Sequence, residues 1–279
     1  MKFTSVTKLK AWIRNKAKEA DAPIDVIMRS YMMERFLERI SLSEYRENFI
    51  IKGGFLIKAL VGIDLRMTMD MDATIKGIRI NHEVVEKLIN NIASIDAGDD
   101  ITFEILSIKP IRDASECDDF CISLRGWFLK LRQDIKVDIT VGDLVLPSEI
   151  EQDYPLMFEN RSISIMAYNL YSILAEKLDA TLTNNIHNTR SRDFYDLYLL
   201  THLNKNKIDC KQLQEITQAK MYDRGNNVYY DNRRIYLKKT FESKKIRDHW
   251  TTYANEYNYA SEISFDDIIP AIYWLLDET

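Results

Sequence analysis

Asp70 and Asp72 stand two residues apart inside the apolar-rich run from Leu65 to Ile75, and Gly53-Gly54 lies shortly before them. On a strand, residues i and i+2 point to the same face. Both carboxylates then project together, flanked by Thr68 and Thr74, while Met67, Met69, Met71 and Ala73 face the opposite way into a core. Carboxylates held side by side repel, which is costly unless a cation lies between them. Mg²⁺ suits such a pair, because it prefers oxygen ligands and binds through one or two carboxylates plus phosphates. Taken alone, the pair also fits a solvated strand end.

The glycines narrow the choice. Residues 48–52 read as a strand and residues 55–61 as a helix, with Gly53-Gly54 as the turn between them. Glycine lets backbone approach a ligand closely, and a helix N-terminus offers free N–H groups to a phosphate. A phosphate cradle followed by a metal-binding pair is what a nucleotidyl-transfer site requires.

The rest of the chain sets bounds. Its 279 residues suffice for one large domain or two of ordinary size. Lysines and arginines between Lys2 and Lys18 interrupt any apolar leader, and the uncharged stretch from Ser162 to Ala175 is too short to span a bilayer. A cytoplasmic protein without a membrane segment is expected. Cys117, Cys121 and Cys210 have no metal-site spacing and read as reduced structural thiols. The net charge is −5, yet residues 220–247 are strongly basic.

The periodicity predicts two helices over residues 4–45, separated at Pro23. The strand, glycine turn, helix and D-x-D strand follow, then an amphipathic helix over 83–95. Further strands are predicted at 101–106, 120–129 and 134–141. In the last, Ile135, Val137, Ile139 and Val141 alternate with Lys136, Asp138 and Thr140. Pro147 and Pro155 bracket a connection, and the pattern is helical from about 165 onward. The fold class is therefore α+β: a small mixed sheet flanked by helices over 1–150, then a helical C-terminal domain over 151–279.

Other residues carry chemistry. Asp138, on the polar face of its strand, is the natural third carboxylate, or else an exposed acid paired with Lys136. Lys177 lies at the edge of a buried helical stripe and either snorkels or holds a phosphate. Asp193 and Asp196 share a helix face with Leu197 and Leu200 and need cationic partners, with Arg190, Arg192 and Lys177 as candidates. Asp196 is expected to be the more structural of the two acids. In the basic tail, Arg233, Arg234, Lys238 and Lys239 are interleaved with Tyr229 and Tyr230, as suits RNA phosphates and unpaired bases. A solvated charged face over a tyrosine-rich core is the other reading.

Lys52-Gly53-Gly54, the run Arg66 to Asp72, Lys136-Val137-Asp138, Ala175-Glu176-Lys177-Leu178 and Arg192-Asp193-Phe194-Tyr195-Asp196-Leu197 together resemble the AbiEii/AbiGii toxin family. The resemblance implies a DNA-polymerase-β-like nucleotidyltransferase core whose active site is completed by the helical domain. It implies Asp70 and Asp72 as metal ligands, with Lys177 and Asp193 or Asp196 as further catalytic residues, and Asp138 would complete the metal-binding carboxylate set. Gly53, Gly54, Arg66, Thr68 and Lys177 would bind the nucleotide. Mg²⁺ or Mn²⁺ is the implied cofactor and an NTP the substrate. RNA, chiefly the tRNA 3′ end, is the implied acceptor, with a cognate antitoxin and a role in abortive infection of phage. The turn is Gly-Gly where many such enzymes carry Gly-Ser, so one hydroxyl contact to phosphate is missing. Transfer to a protein or small-molecule acceptor, or nucleotide binding without transfer, are the competing functions.

Overall fold

The computed structural model describes residues 3–61, 68–111 and 119–276, which fall into two compact units. The first comprises residues 1–143 and 149–168, the second residues 144–148 and 169–279.

The first unit opens with α1 (Val6–Glu19) and α2 (Ile24–Leu42). Ser5 caps α1 by accepting from the Lys8 N–H at 3.3 Å, and Leu9, Ile13 and Ala17 form its buried stripe. β1 (Phe49–Lys52) runs directly into α3 (Gly53–Val61), and β2 (Met71–Ile75) and α4 (His82–Ala93) follow. β3 (Ile101–Pro110), β4 (Phe120–Phe128) and β5 (Leu131–Val141) form a meander, and β6 (Ile150–Pro155) with β7 (Ser162–Ala167) forms a last hairpin. The seven strands lie in the order β3-β4-β5-β2-β1-β7-β6. β2 is antiparallel to β1 and parallel to β5, which makes the sheet mixed. The alternation of β5 is as expected: Ile135, Val137 and Ile139 are buried, while Lys136 is exposed and Asp138 half-buried.

Three expectations need correction. The connection after Pro147 contains the β6–β7 hairpin, and β7 pairs with β1, so the sheet unit runs to Tyr168 rather than ending near 150. β2 starts at Met71, so Asp70 sits in the preceding bend and not on the strand. Met71 and Ala73 enter the core, but Met69 is exposed in that bend. A dense ion cluster fastens α2 to the β6–β7 turn. Arg35 pairs with Glu34, Glu38 and Glu159, and Arg161 with Glu38 and Glu159. Against the burial that would raise it, the bond from Arg161 and the charge of Arg35 hold Glu159 down at about 2.

The second unit is helical: α5 (Leu170–Asn184), α6 (Ser191–Asn204), α7 (Cys210–Asp223), α8 (Asn227–Asp231), α9 (Arg233–Glu242), α10 (Lys244–Glu256) and α11 (Phe265–Leu275). Asn169 explains why residues 144–148 belong here. Its side chain caps α5 at Ser172 and donates to the carbonyls of Leu146 and Ser148 at 2.8 and 2.6 Å. Lys220, fully buried, donates to the Leu144 carbonyl at 2.7 Å. Among the described residues no helix is long and apolar enough to cross a membrane.

Candidate active site

The mixed pairing around β2 sets the geometry of the first unit. Lys52 on β1 lies opposite Asp72, and Asp72 lies opposite Asp138 on β5. Register partners share a face, on strands about 4.8 Å apart. The topology thus sets two carboxylates of distant sequence side by side. Asp70 is one residue ahead of the strand, its bend tied by the Thr68 hydroxyl donating to the Asp70 carbonyl at 3.2 Å. Thr68 is buried, and its hydroxyl serves that bend, not the open face expected of a nucleotide contact. Arg66 and Cys117 lie outside the described residues.

Gly53 sits against Asp72. Its φ is +66°, and a Cβ built there would stand 2.1 Å from Asp72 Oδ2. Only glycine meets both demands, the left-handed backbone and the close approach. The glycine turn is therefore no loop: the strand passes straight into α3, whose first N–H groups have no intrahelical acceptor.

Asp138 bears an uncompensated burial cost at one oxygen. Its Oδ1 is buried without a hydrogen-bond partner. The carboxylate is bonded by Cys121, which faces Asp138 across the β4–β5 register. Burial, then the bond to Asp138, then the charges of Asp138 and Asp70 push the Cys121 thiol up to about 11, so it remains a protonated donor at neutral pH. Cys121 was invisible as a site residue from spacing to Cys117. The strand alternation of β4 and β5 carried the signal, once their register is known.

Lys52 heads a second network on this face. Its ammonium donates to Thr140 Oγ1 at 2.7 Å, pairs with Asp143 and lies 5.9 Å from the centre of the Tyr168 ring. Thr140 and Tyr168 donate in turn to Asp143, at 2.6 and 3.2 Å.

Do these residues fit a divalent cation? Among the described residues no group of three or more His, Cys, Asp or Glu side chains forms a ready-made cage. The register pair Asp72 and Asp138, with one carboxylate oxygen buried and unbonded, is instead the oxygen-only donor chemistry of a hard cation whose remaining ligands come from elsewhere, such as substrate phosphates. The donor chemistry of the pair is compatible with such a cation.

In the second unit, Lys177 on α5 reaches α6. Its ammonium pairs with Asp193, and with Asp196 at 2.9 Å. Of the three candidate cations, Lys177 is the one that meets both acids, and it does not snorkel. Asp196 is fully buried; Asp193 keeps its Oδ2 buried without a hydrogen-bond partner.

The basic tail divides. Arg234, Lys238 and Lys239 are exposed, and Tyr229 is half-buried, 5.0 Å from Tyr236 between ring centres. Tyr230 is 5% exposed and donates to the Gln214 carbonyl at 3.0 Å, so its ring is core and not a stacking platform. Arg233 lies over that buried ring at 4.8 Å.

The family model described as nucleotidyl transferase AbiEii toxin, type IV toxin–antitoxin system, matches residues 35–276. No curated protein matches the sequence. Among solved structures, the Helicobacter pylori protein JHP933 is similar in fold, with a TM-score of 0.50 and 14% identity, over 91% of this chain and 92% of that one. An antigenic nucleotidyltransferase-like protein of Paracoccidioides brasiliensis aligns with a TM-score of 0.42 and 13% identity, over 71% of this chain and 91% of that one.

Proposed function

The chain belongs to the AbiEii nucleotidyl transferase toxin family, and from that premise we propose that it moves a nucleoside monophosphate from an NTP onto RNA, with the tRNA 3′ end as acceptor. The observation that carries this reading is the register pair Asp72–Asp138, with Gly53 packed on one carboxylate and a buried, unbonded oxygen on the other. Such an arrangement is costly for a purely structural protein. It is useful where a cation and a triphosphate arrive together.

Asp70, Asp72 and Asp138 would hold Mg²⁺ or Mn²⁺. When bound, that ion neutralises charge on the transferring phosphoryl group. The chain does the rest by positioning. Gly53 lets backbone approach the phosphates, and the free N–H groups of the first turn of α3 face them with the positive end of the helix dipole. Arg66 adds charge to the triphosphate. In the second unit, Lys177, aligned by its two acids, acts as a phosphate-binding point charge, with Asp193 as the acid of functional consequence. A ribose hydroxyl of the RNA attacks the α-phosphorus in line and gives up its proton as the α–β phosphoanhydride bond breaks and pyrophosphate leaves, so no covalent enzyme intermediate is needed. The exposed Arg234, Lys238 and Lys239, beside Tyr229, offer charge and a ring to the RNA. Blocked tRNA would halt translation, consistent with a toxin restrained by a cognate antitoxin and released during phage infection.

The test is incorporation of each of four α-³²P-labelled NTPs into total bacterial RNA with Mg²⁺, wild type beside the D70A/D72A double variant. A tRNA-sized labelled band, lost in the variant and abolished by EDTA, is expected. A labelled product resistant to RNase would move the acceptor to protein. No label with any NTP, from folded protein, would refute transfer.

A further inference from the structure

Arg29 on α2 is held unlike five other arginines of the sheet unit. Arg35, Arg39, Arg46, Arg125 and Arg161 each pair with a carboxylate. Arg29 instead donates one N–H to the thioether of Met69 at 3.2 Å, and sulfur is a weak acceptor. Its Nε is buried without a hydrogen-bond partner. The acid that feels its charge, Asp134, is gripped by Arg125 at 2.6 and 2.9 Å. Met69 is the residue before Asp70, so this under-bonded guanidinium stands at the D-x-D bend itself.

A guanidinium is more weakly hydrated than an ammonium, and its planar fork matches phosphate with two parallel bonds. We infer that Arg29 is a phosphate-binding residue of the Asp70 site, engaging phosphate oxygens of the substrate with the donors that Met69 leaves poorly used. The inference rests on the transferase reading for the identity of the site but goes beyond it, since Arg29 precedes the family match at residues 35–276. Two substrates carry this chemistry: the triphosphate of the nucleotide and the backbone of the RNA.

Equilibrium binding separates them without requiring transfer. The probes are inorganic tripolyphosphate with Mg²⁺ and total bacterial tRNA, each titrated against wild type, R29Q and R29K. Among the described residues Arg29 makes no ion pair within 4 Å, so both variants should keep the wild-type melting temperature. R29Q is expected to weaken one probe about tenfold, with R29K restoring part of the loss. Weakened tripolyphosphate with unchanged tRNA assigns the nucleotide. Weakened tRNA with a salt slope smaller by about one assigns the RNA backbone. Binding of both probes unaffected by either variant, or a loss that tracks a lowered melting temperature, overturns the inference. Should the labelling assay fail while R29Q still loses phosphate binding, the transfer reading falls and this one stands.

Discussion

In the sheet unit, Asp138 gives one face of its carboxylate to a thiol and buries the other oxygen without a partner, beside Asp72 across the register. In the helical unit, Asp193 and Asp196 close on the single ammonium of Lys177. Sheet register imposes proximity on acids that repel, since the backbone pairing fixes both on one face. Helix packing instead lets one long side chain from α5 reach two acids a turn apart on α6 and cancel much of their charge. The first arrangement holds negative charge ready for an incoming cation. The second fixes a cation in place, leaving Asp193 Oδ2 as its one buried oxygen without a hydrogen-bond partner.

The largest effect should come from reversing these roles. Lys177→Met leaves two buried carboxylates without their ammonium, and breaking a buried pair in this way costs about 3–5 kcal/mol. Asp138→Asn removes one member of a repelling pair, so its melting temperature should stay level or rise while transfer is lost. Thermal unfolding of the two variants in one buffer checks the contrast. Equal destabilisation by both would break the comparison, because Asp138 would then be as fully compensated as Asp193.

Gly53→Ala sharpens the sheet side. The substitution carries a left-handed backbone penalty of about 1–2 kcal/mol, and its Cβ would also drive into Asp72 Oδ2. Gly98 supplies the control: its φ is +71°, and a Cβ there would meet nothing within 4 Å. Gly98→Ala should therefore show the backbone penalty alone and keep full activity. Gly53→Ala should lose more stability and at least about tenfold in transfer, since about 1.4 kcal/mol of misplacement is a factor of ten. Matching losses in both variants would mean that the contact with Asp72 is not what requires glycine.

Much of this contrast is written in local periodicity. The strand–glycine–helix unit, the alternation of β5 and the need of Asp193 and Asp196 for a cation all follow from spacing. What spacing misses depends on partners far along the chain. β6 carries Glu151, Gln152 and Asp153 in a row at a sheet edge, where polar residues are tolerated, so its pattern does not announce a strand. Asp70 leaves the strand because the Thr68 hydroxyl ties the bend before it, a contact the i, i+2 rule cannot express. Tyr230 looks like a stacking ring beside basic residues until α7 supplies the Gln214 carbonyl for its hydroxyl. Arg29 and Met69 are separated by forty residues, and only the folded chain shows the weakness of their bond.

The smallest effect concerns the thiol at Asp138. Cys121→Ser keeps a donor at the register position opposite the carboxylate, whereas Cys121→Val keeps the volume and removes the donor. A thiol is a weak donor, so its loss should cost about 1 kcal/mol of carboxylate positioning, below the roughly 1.5–3 kcal/mol of hydrogen bonds to charged groups. Transfer by Cys121→Val should then fall roughly fivefold, chiefly in kcat, with KM for the NTP little changed, since the bond orients a carboxylate rather than the nucleotide. Cys121→Ser should remain near wild type. A serine variant as slow as the valine variant would show that the site needs the bulk of sulfur and not its proton, and Asp138 would then be positioned by the strand register alone.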